Sequence, residues 1–133
     1  MENAVLFLFT ASFPFGEGEA FLENELAVLS RHFKTIQIFP GFTDGRKREL
    51  PENCNVVTDD RPFNSRPTFL KNFKSSRSIM KDEATATTNS QWFQANKRDV
   101  LNMLLQAYHK AEFIRTQLDL QHEPVTLYSF WMN

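Results

Sequence analysis

Six apolar residues in an unbroken row, Ala4-Val5-Leu6-Phe7-Leu8-Phe9, do most to limit what this chain can become. A strand with one wet face alternates apolar and polar residues. One without alternation is covered on both faces, as the parallel strands of α/β proteins are. The run leads into Thr10-Ala11-Ser12-Phe13-Pro14-Phe15-Gly16-Glu17-Gly18, where one proline and two glycines supply the restricted and permissive backbone that a loop needs. A helix is predicted next, from about Glu19 to Phe33, because Leu22, Leu26, Leu29 and Phe33 fall at i, i+4, i+7 and i+11 on one stripe. Thr35-Ile36-Gln37-Ile38-Phe39 predicts a second strand, closed by Pro40-Gly41. The opening forty residues thus spell a strand, helix, strand unit, which crosses over right-handed and builds a parallel sheet.

Between Gly41 and about Asn96 the chain is polar and interrupted by Pro51, Pro62 and Pro67. Within this stretch Cys54-Asn55-Val56-Val57 predicts a third strand, Thr68 to about Met80 a short amphipathic helix, and Asp82 to Ser90 an exposed loop without large apolar residues. Periodicity returns at Val100, Leu101, Leu104, Leu105, Tyr108 and Ile114, predicting a long helix from roughly Ala95 to Leu120. Pro124 bounds it, and Val125 to Phe130 is the final strand. The expectation is one Rossmann-like α/β domain over residues 1–133, a three-layer arrangement around a mainly parallel sheet. In the common doubly wound order 3-2-1-4, ligands bind beyond the carboxyl ends of the strands at the switch between strands one and four. The segments that reach that point are Phe13 to Gly18 and Trp131-Met132-Asn133. Because no helix follows the last strand, the expectation is also that this domain belongs to a longer protein.

Composition removes several classes of partner. Lysine and arginine (15) nearly balance aspartate and glutamate (16), so no general basic field draws nucleic acid. The single cysteine, Cys54, has no internal disulfide partner, and Met1-Glu2-Asn3 lacks the basic flank of a secretory signal. The six-residue run Ala4 to Phe9 falls well short of the roughly 20 residues that cross a bilayer. A cytoplasmic protein is expected.

The glycines before a helix invite comparison with dinucleotide sites, where bare backbone approaches a pyrophosphate. Here Phe21 stands in place of the third glycine, Glu17 and Glu19 bring negative charge to the helix start, and Phe39-Pro40 closes the second strand without an acid. No lysine follows as in a triphosphate loop. No bound cofactor is expected. His32, His109 and His122 are isolated, so no metal is expected either, and Cys54 reads as a small buried strand residue. Glu23 suits the helix macrodipole, whereas Glu25 lies between Phe21 and Leu29 near the apolar stripe, where a role as a buried hydrogen-bonding group competes with a surface one. Glu17 and Glu25 have an E-x7-E spacing that, in this context, is an accident of composition. From Arg61 to Lys81 the cations Arg61, Arg66, Lys71, Lys74, Arg77 and Lys81 meet no acid and interleave with Phe63, Phe69, Leu70 and Phe73. A solvated helix face is the ordinary reading. The alternative is an anionic membrane surface touched by Phe69, Lys71, Phe73, Lys74 and Arg77.

The blocks Phe7-Leu8-Phe9-Thr10, Ser12-Phe13-Pro14-Phe15-Gly16-Glu17-Gly18-Glu19 and Phe21-Leu22-Glu23-Asn24-Glu25-Leu26 resemble the opening of family-four-type glycosyltransferases of bacterial capsule, exopolysaccharide and lipopolysaccharide assembly. Leu127-Tyr128-Ser129-Phe130-Trp131 resembles the strand that precedes the active-site crevice of the same domain, although many relatives carry a histidine there and this chain does not. The resemblance implies the amino-terminal, acceptor-side half of a GT-B enzyme. Its partner would be a carboxyl-terminal domain outside this chain that binds a nucleotide-sugar donor. The acceptor would be a glycan or a lipid-linked sugar, and no metal would be needed. It further implies a substrate-binding set of Phe15, Gly16, Glu17, Gly18, Glu19, Glu25, Trp131 and Asn133, with Gly16 and Gly18 facing donor phosphates and acceptor while Glu19 and Glu25 order the loop. No catalytic residue is implied within this chain, which alone would not turn over. Besides this enzyme reading stands that of a non-enzymatic α/β binding domain or peripheral interaction module.

Overall fold

The computed structural model describes residues 3–61, 66–86 and 90–129, with side chains described except at 66–70, 83–86 and 90. Its elements in chain order are β1 (Val5–Thr10), α1 (Leu22–Leu29), β2 (Thr35–Pro40), β3 (Cys54–Val56), α2 (Arg66–Ala86), α3 (Ser90–Ala95), α4 (Lys97–Asp119) and β4 (Val125–Ser129). The strands form one sheet in the order β3-β2-β1-β4, with every pairing parallel. The chain is therefore an α/β protein with a Rossmann-like parallel sheet. Thr10 lies opposite Pro40 and Phe9 opposite Ser129, so β1, β2 and β4 deliver their carboxyl ends to one edge.

The chain divides into two compact units, Met1–Thr58 with Leu118–Asn133, and Asp59–Gln117. In the first unit, α1 lays Leu22 and Leu26 onto Leu6, Leu8, Ile36 and Ile38, and Phe13, Phe33 and Cys54 complete the cluster. Removing the side chain of a leucine so placed costs about 2–5 kcal/mol. The other face of the sheet carries Phe7, Phe9 and Phe39, with ring centroids 4.9 Å apart for Phe7 and Phe39 and 5.3 Å apart for Phe9 and Phe39. Val5, Leu6, Phe7 and Leu8 are all buried, which is the two-sided cover that their unalternating sequence requires. β4 differs: Leu127 and Tyr128 are exposed on it. The second unit is helical over α2, α3 and most of α4. Among the described residues no helix is long and apolar enough to cross a membrane.

Three boundaries depart from the sequence expectation. α1 is confined to Leu22–Leu29 rather than Glu19 to Phe33. Glu19 has φ +52°, outside the helical region, and bonds of the i to i+3 type at Leu22, Glu23 and Asn24 introduce the helix. At its far end similar bonds at Arg31 and His32 tighten the chain, and the Asn53 amide donates to the carbonyls of Ser30 and Phe33, both at 2.9 Å. α2 continues through Asp82–Ala86, where an exposed loop is expected from the missing apolar residues. That segment contains Glu83, Ala84 and Ala86 and no glycine or proline, so intrinsic propensity carries the helix onward. α3 is a further short helix in the stretch the sequence leaves unread.

Candidate functional site

β1 ends in a loop whose shape is set from within. Thr10 is buried and its hydroxyl donates to the Phe13 carbonyl at 2.6 Å. The Glu19 carboxylate accepts three backbone N–H groups, from Ala11 at 3.0 Å and from Ser12 and Phe13 at 2.8 Å each. Burial alone would raise this carboxyl, but the amides of Ser12, Ala11 and Phe13, together with the charge of Arg48, outweigh it and hold Glu19 below the ordinary carboxylate value. Its left-handed backbone is uncommon for a residue with a side chain and is kept by these bonds. A row of amides after the first strand is where Rossmann-like proteins cradle a phosphate. Here a carboxylate of the chain itself occupies it.

Arg48 closes the loop from the other side. Its Nε donates to the Gly16 carbonyl and its Nη2 to the Gly18 carbonyl, both at 3.0 Å, while Nη1 lies 3.1 Å from Glu23 Oε1. The guanidinium also stands over the Phe13 ring, 5.6 Å from its centroid. Backbone bonds reinforce this clasp, Gly16 N to Arg46 O at 3.1 Å and Arg48 N to Pro14 O at 2.9 Å, and Phe15 bridges Lys47 in antiparallel fashion. Gly16 and Gly45 both have positive φ, and a Cβ on Gly45 would stand 3.0 Å from the Gly16 Cα.

Of the residues singled out from the sequence, Phe15 and Gly16 are half-buried within this clasp, and Glu17 and Gly18 are exposed at its tip. Glu19 orders the loop through its amides. Glu25 makes no hydrogen bond to it among the described residues. It is half-buried on α1, with Oε2 shut off from solvent, and it lines an apolar groove of about 470 Å³ with Leu6, Val28, Leu29, Thr126 and Tyr128. Trp131 and Asn133 lie outside the described residues, as does Phe63, and so does the side chain of Phe69. Lys71, Lys74 and Arg77 are exposed on α2, while Phe73 is half-buried. Arg61 is engaged within the second unit, donating to Asp59 at 2.8 and 2.9 Å and to the His109 carbonyl at 2.9 Å, with its guanidinium 5.2 Å from the Phe113 ring centroid.

Arg48 and the hydroxyl of Thr10 hold the loop in ways that sequence reading passes over. The signal for Arg48 was an Asp44-Gly45 turn dipeptide followed by three cations, Arg46, Lys47 and Arg48, which by themselves describe an exposed turn. Cys54 is buried in β3, and burial pushes its thiol up to about 11, so at neutral pH it is a packing group and not a nucleophile. In comparisons with protein-family models, curated proteins and solved structures, nothing matches this chain. What the site offers chemically is a wall whose Ala11, Ser12 and Phe13 amides are taken up by Glu19, with an exposed Glu17-Gly18 tip.

Proposed function

We propose that the sheet unit is the acceptor-side, amino-terminal domain of a GT-B glycosyltransferase, moving a sugar from a nucleotide-sugar to a glycan or lipid-linked acceptor in bacterial polysaccharide assembly. One observation carries this reading. The residues of the resemblance, Ser12 to Glu19, are the ones held by Glu19 and Arg48 into a fixed loop at the carboxyl end of β1, next to β4 in a 3-2-1-4 sheet. That position is where ligands of such sheets bind.

The electrostatics favour the acceptor over the donor at this wall. A diphosphate needs unspent amides or cations, whereas the amides of Ala11, Ser12 and Phe13 are spent on Glu19 and the exposed tip carries Glu17. A hydroxyl-bearing acceptor suits the surface better, since Gly18 has no side chain to hold it off and the Glu17 carboxylate accepts hydrogen bonds. Charge on the leaving nucleotide would be met by backbone N–H groups and cations of a second, donor-binding domain. The place of work would be the cytoplasmic face of the membrane, with Lys71, Lys74 and Arg77 exposed toward anionic headgroups.

Transfer of radiolabelled sugar to lipid-linked acceptors, by the enzyme that contains this chain, tests the reading. Gly18→Val should raise KM for the acceptor at least tenfold and leave that for the nucleotide-sugar within twofold. An equal loss toward both substrates, or none, would count against an acceptor wall.

A further inference from the structure

The helical unit holds a cavity of about 600 Å³, within the roughly 300–1,000 Å³ of small-molecule sites. Its apolar lining comes from three helices: Phe73 and Met80 of α2, Phe93 of α3 and Leu101 of α4. Phe73, Arg77, Met80 and Lys81 recur at i, i+4, i+7 and i+8, one face of α2, so the helix period brings two apolar side chains and two cations to the same side. Lys97 and Arg98, in the first turn of α4, add two more cations to the lining.

Among the described residues no acidic side chain lines the cavity. Arg77, Lys81, Lys97 and Arg98 are all exposed, and none has an ion-pair partner among the described residues. Four cations ring a floor whose Phe73, Met80 and Leu101 are only partly buried, which leaves apolar surface and one sign of charge side by side. This combination complements a molecule with an aliphatic body and a compact anionic head.

We propose that this cavity binds a single lipid phosphate, an aliphatic chain ending in a phosphate monoester. The head should be a phosphate because such a group carries about −1.5 to −2 charges at neutral pH, and two of the four cations are arginines, whose planar forks suit its oxygens. The body should be aliphatic because the floor of Phe73, Met80, Phe93 and Leu101 has no hydrogen-bonding side chain with which to read a nucleobase. Ligand and place differ from those of the acceptor wall, and the inference does not rest on the glycosyltransferase reading.

Calorimetric titration of the chain with dodecyl phosphate, kept below its micelle-forming concentration, tests it. Dodecyl phosphate should bind at least tenfold more tightly than dodecanol, dodecanoate, inorganic phosphate or uridine monophosphate. The exposed pair Arg77→Gln and Arg98→Gln, with the helical circular dichroism unchanged, should weaken it at least tenfold. Leu101→Trp should weaken it by obstructing the body while leaving the cations in place. Equal affinity for dodecanoate or the nucleotide, indifference to the arginine pair, or binding to anionic vesicles without binding to monomeric dodecyl phosphate would each overturn the proposal. Sugar transfer by the enzyme is a separate readout, so loss of this site and failure of the glycosyltransferase reading remain distinguishable.

Discussion

Arg48 donates through Nε to the carbonyl of Gly16, 32 positions earlier in the chain, at 3.0 Å. This bond joins the turn after β2 to the loop after β1, and the same guanidinium reaches Gly18 and Glu23. Arg48→Ala should lower unfolding stability by about 1.5–3 kcal/mol, the range for hydrogen bonds to charged groups. Arg48→Lys should recover little, because an ammonium lacks the fork that serves two carbonyls and a carboxylate together. Urea denaturation of the three proteins checks this, and full recovery by lysine would contradict it.

Glu19 should make the fold acid-sensitive in a definite direction. Its folded pKa is depressed, so in the affected window the unfolded state binds more protons and stability rises with pH. The contribution is complete above the ordinary value of 4.5 and is lost as pH falls through the depressed folded value. Glu19→Gln should destabilise the fold at pH 7 by about 1–3 kcal/mol, the scale of charge-assisted bonds reduced by partial exposure, and the gap to the parent should narrow as pH falls below 4.5. Denaturation midpoints of both proteins across this range provide the measurement. A gap independent of pH would mean that the carboxylate charge is not what holds the loop.

Cys54 works in the opposite sense. Its thiol is raised from 9.0 to about 11, so the folded state holds the proton longer than the unfolded one. Its contribution is present below pH 9 and is lost as pH rises from there toward 11. At pH 8 a two-unit rise leaves roughly a hundredfold less thiolate, so an aromatic disulfide reagent should react at least about a hundredfold more slowly with the native chain than with the urea-unfolded one. Comparable rates would show that β3 opens readily.

The framework of the sheet unit was legible because each of its signals is local. Ala4 to Phe9 declared two-sided burial, Leu22, Leu26, Leu29 and Phe33 a helical stripe, and the strand order β3-β2-β1-β4 followed from unit-by-unit winding. The role of Glu19 as holder of the loop came only with the family resemblance, and its means did not show: that it turns left-handed and folds its carboxylate back over six to eight residues depends on tertiary bonds. Arg48 was hidden for the same reason, since its partners are carbonyls 30 and 32 positions away and carbonyls have no sequence signature. The continuation of α2 through Asp82–Ala86 was missed because periodicity marks helices that bury a face, while this segment depends on propensity.

Gly45 and Gly18 should respond differently to substitution. Gly45 has φ +99° and abuts the Gly16 backbone, so Gly45→Ala meets both a strained dihedral and an immovable neighbour and should cost about 1–3 kcal/mol. Gly18 has no positive φ, and its nearest obstacle is the Ser12 hydroxyl at 3.1 Å, which can rotate aside. Gly18→Ala should stay within about 0.5 kcal/mol of the parent, as surface substitutions commonly do. Thermal denaturation separates them, and a Gly18 variant as damaged as the Gly45 one would make the tip a structural element and not a binding surface.

The central claim, that the wall built by Ser12 to Glu19 receives an acceptor and not a nucleotide, is tested most directly by nuclear magnetic resonance titration of the nitrogen-15-labelled chain. Lipid-linked mono- and disaccharide analogues should shift the amide signals of Phe15, Gly16, Glu17 and Gly18 in a saturable manner, and nucleotide-sugars at the same concentrations should leave them in place. Saturable shifts of these four signals by nucleotide-sugars, with none from the acceptor analogues, would contradict the account.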